Sequence, residues 1–134
     1  MVTFHSFEDM DVWQKSRTLI REIRSVCKRD AVQRDFAFVD QITRASRSIS
    51  ANIAEGFEAM TNPEFIQFLG YAKRSAGEVR SHLHDAIDER YISEDEFRNL
   101  DLQAVDISKM LACLIRYLQR TKISGKRTCE QTCN

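Results

Sequence analysis

Proline occurs once and glycine four times in 134 residues. Sheet folds need turn residues at every reversal, so this scarcity excludes the many-turned all-β classes and points to long helices with short connections. No run of about 18 apolar residues occurs, so no membrane-spanning helix is expected. The opening MVTFHSFEDMDVWQK lacks the basic start and apolar segment of a secretory signal. Surplus charge is missing too: Lys+Arg and Asp+Glu both number 20, and a dedicated nucleic-acid binder carries a basic excess. Of the four cysteines, Cys27 and Cys113 fall on apolar helical stripes and read as core thiols. Cys129 and Cys133 sit in a polar tail far from the three histidines, without the spacing of a zinc site. This set suits a reducing cytoplasm, and neither metal nor cofactor is expected.

What the chain does have is helical periodicity. In Gln41–Phe57, QITRASRSISANIAEGF, Ile42, Ala45, Ile49 and Ile53 recur at three- and four-residue steps, one face of a helix. Ser48, Asn52 and Glu55 share or border that face, and buried polar groups need partners. The same reading predicts four helices. The first runs from Val12 to about Lys28, capped by Asp9 or Asp11, and a polar connection spans Arg29–Arg34. The second runs from about Asp35 to Glu58. Asn62 then caps the third, with Pro63 at its first position, and this helix ends near Arg90. Ser93 and Glu96 form a capping box for the fourth, which reaches about Thr121. Phe65, Leu69, Ala72, Ala76, Val79, Leu83 and Ala86 mark the seam of the third helix. Leu100, Ala104, Ile107, Leu111, Leu114 and Leu118 mark that of the fourth. The expected architecture is all-α: an antiparallel up-down-up-down four-helix bundle over residues 1–122, followed by a mobile polar tail over 123–134.

The first helix carries two apolar stripes. One holds Trp13, Ile20, Ile23 and Cys27, interrupted by Ser16; the other holds Val12, Leu19 and Val26. The second stripe is a candidate oligomer interface, since two stripes give a helix two things to bury.

Zero net charge conceals an uneven distribution. Residues 13–47 hold 9 basic and 4 acidic side chains, whereas residues 48–108 hold 5 basic and 12 acidic ones. Arg17, Arg21, Arg24 and Lys28 follow three- and four-residue steps and form a cationic ridge on the first helix. The ridge is either a solvated face paired with carboxylates of the third and fourth helices, or a phosphate-contacting surface. It lacks interleaved aromatics for base stacking, so any RNA would be recognised by shape and charge.

The stretch QITRASRSISANIAEGF, followed by EFIQFLGYAKRSAGEVRSHL, resembles the four-helix-bundle proteins encoded in intervening sequences of 23S ribosomal RNA genes. The features that carry the resemblance are Ser48 and Asn52–Gly56, Phe68-Leu69, Ser75 and Glu78, with Phe7, Val12-Trp13 and Tyr91-Ile92 in support. It spans roughly Phe7 to Leu118. Arg74 departs from the pattern, standing where the family usually has glycine. The resemblance implies a ring-like homo-oligomer, a pentamer, with no assigned molecular role. It also implies that RNA or a protein is a conceivable partner, because accessory proteins of diversity-generating retroelements are relatives.

Chemistry is thinly represented. No Glu-x-x-His pair supports a di-metal bundle, and no Gly-rich phosphate loop is present. No enzyme is expected. Glu78, His82 and Asp85 align on the third helix and read as a polar face. The one constellation that looks built for contact is Ser48, Asn52, Glu55, Ser75 and Glu78, between the second and third helices. It is either a polar pocket or a buried network that fixes helix register.

Overall fold

The computed structural model describes residues 2–121 and 128–129. The fold is all-α, with four long helices: α1 (Asp11–Cys27), α3 (Phe36–Phe57), α4 (Asn62–Asp88) and α5 (Glu94–Arg120). A single turn, α2 (Asp30–Gln33), lies within the expected Arg29–Arg34 connection, and a 3-10 turn spans Phe7–Asp9. Two-residue strands β1 (Val2–Thr3) and β2 (Thr128–Cys129) pair antiparallel. The remainder of the tail expected over 123–134 lies outside the described residues. Among the described residues, no helix is long and apolar enough to cross a membrane.

Helix ends follow local chemistry. Asp35 accepts from the Phe38 amide (3.2 Å) and opens α3. The Ser93–Glu96 capping box opens α5 with both reciprocal bonds in place. Two expectations need correcting. Thr61, not Asn62, caps α4, its hydroxyl accepting from the Glu64 amide, while Asn62 and Pro63 occupy the first turn. Neither Asp9 nor Asp11 caps α1: Met10 holds the cap position without a side-chain bond, and Asp9 accepts instead from the His5 amide. α4 ends in a Schellman motif. The Tyr91 amide returns to the Ala86 carbonyl (2.8 Å) and the Arg90 amide to that of Ile87 (3.0 Å), with Arg90 left-handed at φ 61°.

Each long helix packs against the next in sequence, and α1 closes the set against α5, while α1 and α4 stand diagonally across the core. The core is one cluster drawn from all four, including Leu19 and Ile23, Ile42, Ile49 and Ile53, Leu69 and Leu83, and Ile107 and Leu111, each at most 2% exposed. The expected seams of α4 and α5 are buried residue for residue. The candidate oligomer interface is different. Val12, Leu19 and Val26 are buried in the protomer's own core, as are Ile20, Ile23 and Cys27. Two flanking helices, α3 and α5, consume both stripes, so neither is left for a second subunit.

Candidate functional site

The small polar residues of the bundle are spent on packing. Ser16, Ser46 and Ser50 are buried, and each hydroxyl donates to a carbonyl three residues back: Trp13 (2.6 Å), Thr43 (3.0 Å) and Arg47 (3.2 Å). Such back-bonding satisfies a hydroxyl inside its own helix and leaves a small surface for a neighbour. Ser16 therefore belongs to the buried face of α1 and does not interrupt it.

Between α3 and α4 the structure brings together three of the five residues in the polar constellation. Asn52 Nδ2 donates to the Ser48 carbonyl (2.8 Å) and to Ser48 Oγ (2.9 Å), and Ser75 Oγ donates to the same hydroxyl (2.8 Å). All three side chains are half-buried. Glu55 and Glu78 are exposed and stand outside the network. Glu78 instead approaches His82 Nε2 at 3.6 Å, while Asp85 approaches His82 Nδ1 at the same distance. The cluster is thus filled by its own side chains and ties one α3 register to one α4 register. Nearby, Gly56 lies so close to Phe65 and Phe68 that a β-carbon would sit 2.9 Å from each. Arg74 turns outward, its guanidinium 5.2 Å from the Tyr71 ring centre, so the bulky cation does not obstruct the α3–α4 contact.

Two charged surfaces lie outside the core. On α1, Arg17, Arg21 and Lys28 are exposed and Arg24 is half-buried. Arg17 stacks 5.7 Å from the Trp13 ring centre, and Arg21 donates to the Thr18 hydroxyl (3.2 Å). The ion pairs among the described residues join Arg29 to Glu96, Arg44 to Asp40, Arg80 to Asp101 and Arg98 to Asp95, besides the two around His82. None involves the ridge, so the expected pairing with carboxylates of the last two helices does not form.

The second surface takes in His82 and Asp85 of the polar face expected on the third helix and adds residues of α3 to them. It is an open cleft of about 310 Å³ between the start of α3 and the end of α4, and its polar lining is Asp35, Gln41, His82, Asp85, Asp88 and Glu89. At the same end, a latch crosses the bundle. Arg29 forks onto the Glu96 carboxylate and also donates to the Tyr91 carbonyl (2.9 Å), while the Tyr91 hydroxyl donates to Asp35 (2.7 Å). The Arg29 bond, with that of the Ser93 amide, lowers the Glu96 carboxyl to about 2. Bonds from Tyr91 and the Phe38 amide lower Asp35, and that same carboxylate pushes the Tyr91 phenol up to about 12.

Two further features complete the site inventory. Cys27 is a buried free thiol, raised by burial against the opposing Thr43 bond and Arg24 charge. Cys113 is half-buried and disulfide-bonded, contrary to the expected core thiol. No group of three or more His, Cys, Asp or Glu side chains suited to a metal occurs among the described residues.

Fold and surfaces together define an all-α protein of four long helices whose polar interior locks packing. The chain belongs to a family: residues 8–113 match the model of the 23S rRNA-intervening sequence protein. A solved structure similar to this chain is that of a protein with unknown function from the S23 ribosomal protein family of Bacteroides thetaiotaomicron. It is 28% identical, with a TM-score of 0.68, and the match covers 75% of this chain and 94% of that one. No curated protein matches the chain.

Proposed function

We propose that this protein is a non-enzymatic binding or scaffold module: an antiparallel up-down-up-down bundle that assembles as a ring-like homo-oligomer, a pentamer. The antiparallel reading is supported by contacts that pair late residues of one helix with early residues of the next, such as His84 with Phe97 and Phe57 with Phe65. The observation offered for assembly is that three large apolar side chains stand in water in a single protomer: Phe36 is 81% exposed, Met60 89% and Leu102 59%. The filled Ser48–Asn52–Ser75 cluster supports a structural role for the polar residues between α3 and α4.

A second reading is favoured by the ridge. Four cations without carboxylate partners among the described residues suit phosphate contact, and copies in a ring would multiply weak contacts through avidity. Sedimentation equilibrium tests the first reading: a mass about five times 15.6 kDa is expected, and a 15.6 kDa species at high concentration would overturn it. Retention on structured RNA at low salt, abolished by Arg17→Glu with Arg21→Glu and Arg24→Glu, would establish the second; no retention would remove it.

A further inference from the structure

The two charged surfaces have opposite sign, and among the described residues neither is fully matched by ion pairs within its own protomer. The ridge cations Arg17, Arg21, Arg24 and Lys28 have no ion-pair partner among the described residues. Across the molecule, Asp85 and Asp88 close α4 and Glu89 caps its C-terminus, with no basic residue in the last turn. That end of a helix carries the negative pole of the backbone dipole, where cations are favoured and carboxylates are not. The three carboxylates are therefore held where both the dipole and one another oppose them. Of these, Asp85 has His82 at 3.6 Å, whereas Asp88 and Glu89 take part in no ion pair among the described residues. No ridge cation pairs with them within the protomer among the described residues.

We infer that the α1 ridge of one protomer docks into the α3–α4 cleft of a second copy, a head-to-tail contact that rests on the homo-oligomer reading. Charge complementarity selects this occupant. An unrelated basic partner would satisfy the cleft and leave the ridge unmatched, whereas a second copy satisfies both and keeps the assembly at the chain's zero net charge. At about 1.5 Å per residue, the cleft wall along α4 from His82 to Glu89 runs roughly 10 Å, the length of the ridge from Arg21 to Lys28, and Arg17 extends beyond it. Phe36, exposed beside the cleft residue Asp35, adds an apolar anchor at its rim. Because the two patches differ, the contact is heterologous and propagates from copy to copy until a ring closes.

The test is charge exchange, read by sedimentation equilibrium and circular dichroism on the full chain. Arg21→Glu with Lys28→Glu, and separately Asp88→Lys with Glu89→Lys, should each keep the helical signal and weaken self-association by about 100-fold or more. All four substitutions in one chain should restore the wild-type mass, since the substituted positions on the two surfaces then exchange signs with each other. If both paired variants keep the wild-type mass, the docking contact is wrong while the homo-oligomer reading stands. A four-substitution chain that stays monomeric also overturns the contact. Loss of RNA retention on ridge reversal at unchanged mass assigns the ridge to nucleic acid and overturns it as well. A monomeric wild type removes the homo-oligomer reading itself.

Discussion

Gly56 and Gly77 both sit inside long helices, yet a methyl group would meet opposite surroundings at the two positions. At Gly56 it would stand 2.9 Å from Phe65 Cδ1 and Phe68 Cβ and 3.3 Å from the Phe65 carbonyl oxygen; at Gly77 nothing lies within 4 Å. Alanine improves a helix interior by about 1 kcal/mol over glycine, whereas overpacking a tight contact costs about 1–3 kcal/mol. Gly56→Ala is therefore expected to lose about 1–2 kcal/mol, the clash outweighing the propensity gain. Gly77→Ala is expected to gain about 0.5–1 kcal/mol. Urea denaturation of the two variants checks both signs. The glycine that ends the NIAEG motif is thus required by α3–α4 packing, a reason its own helix does not contain.

At the scale of elements, the latch joins segments that no local pattern connects: Arg29 to Glu96 and Asp35 to Tyr91, 67 and 56 positions apart. Its pH dependence follows from the shifts. Glu96 falls from 4.5 to about 2 and Asp35 is also lowered, so their contributions are complete above the unfolded carboxyl range and disappear as pH falls through the folded values. Tyr91 rises from 10.0 to about 12, so its contribution is complete below pH 10 and is lost as pH climbs to about 12. Thermal unfolding midpoints should form a plateau between these limits. Glu96→Gln should flatten the acid limb, and Tyr91→Phe the alkaline limb. The limbs will be shallow, because the Arg29 and Glu96 side chains are 43% and 38% exposed and water screens the pair. Unchanged limbs in both variants would show that the latch does not couple to folding.

For the whole molecule, the fate of the second α1 stripe separates assembly from folding. Had Val12, Leu19 and Val26 faced a second subunit, Leu19→Asp would yield folded monomers. Leu19 is 0% exposed within the protomer, so the carboxylate would be buried without a partner. A loss of about 3–5 kcal/mol is expected, seen as a fall in melting temperature together with the helical signal. A folded Leu19→Asp monomer of undiminished melting temperature would return the stripe to the interface.

Periodicity alone determined the all-α class, the four long helices with ends mostly within a residue or two, and the inward faces of α4 and α5. A repeat of 3.6 residues reports which side of one helix is apolar, and the caps at Asp35 and Ser93 are local chemistry. It also determined that Ser48, Asn52 and Ser75 needed partners. Only the tertiary structure decided that those partners are one another, while Glu55 and Glu78 turn to water. The helical wheel places them at the edge of the stripe, and the width of the α3–α4 contact sets where the edge becomes solvent. It likewise decided that α1, wedged between α3 and α5, buries both stripes, and that α3 and α4 meet to form an acidic cleft. The angle at which one helix stands to its neighbours depends on every side chain between them, and no single helix records it.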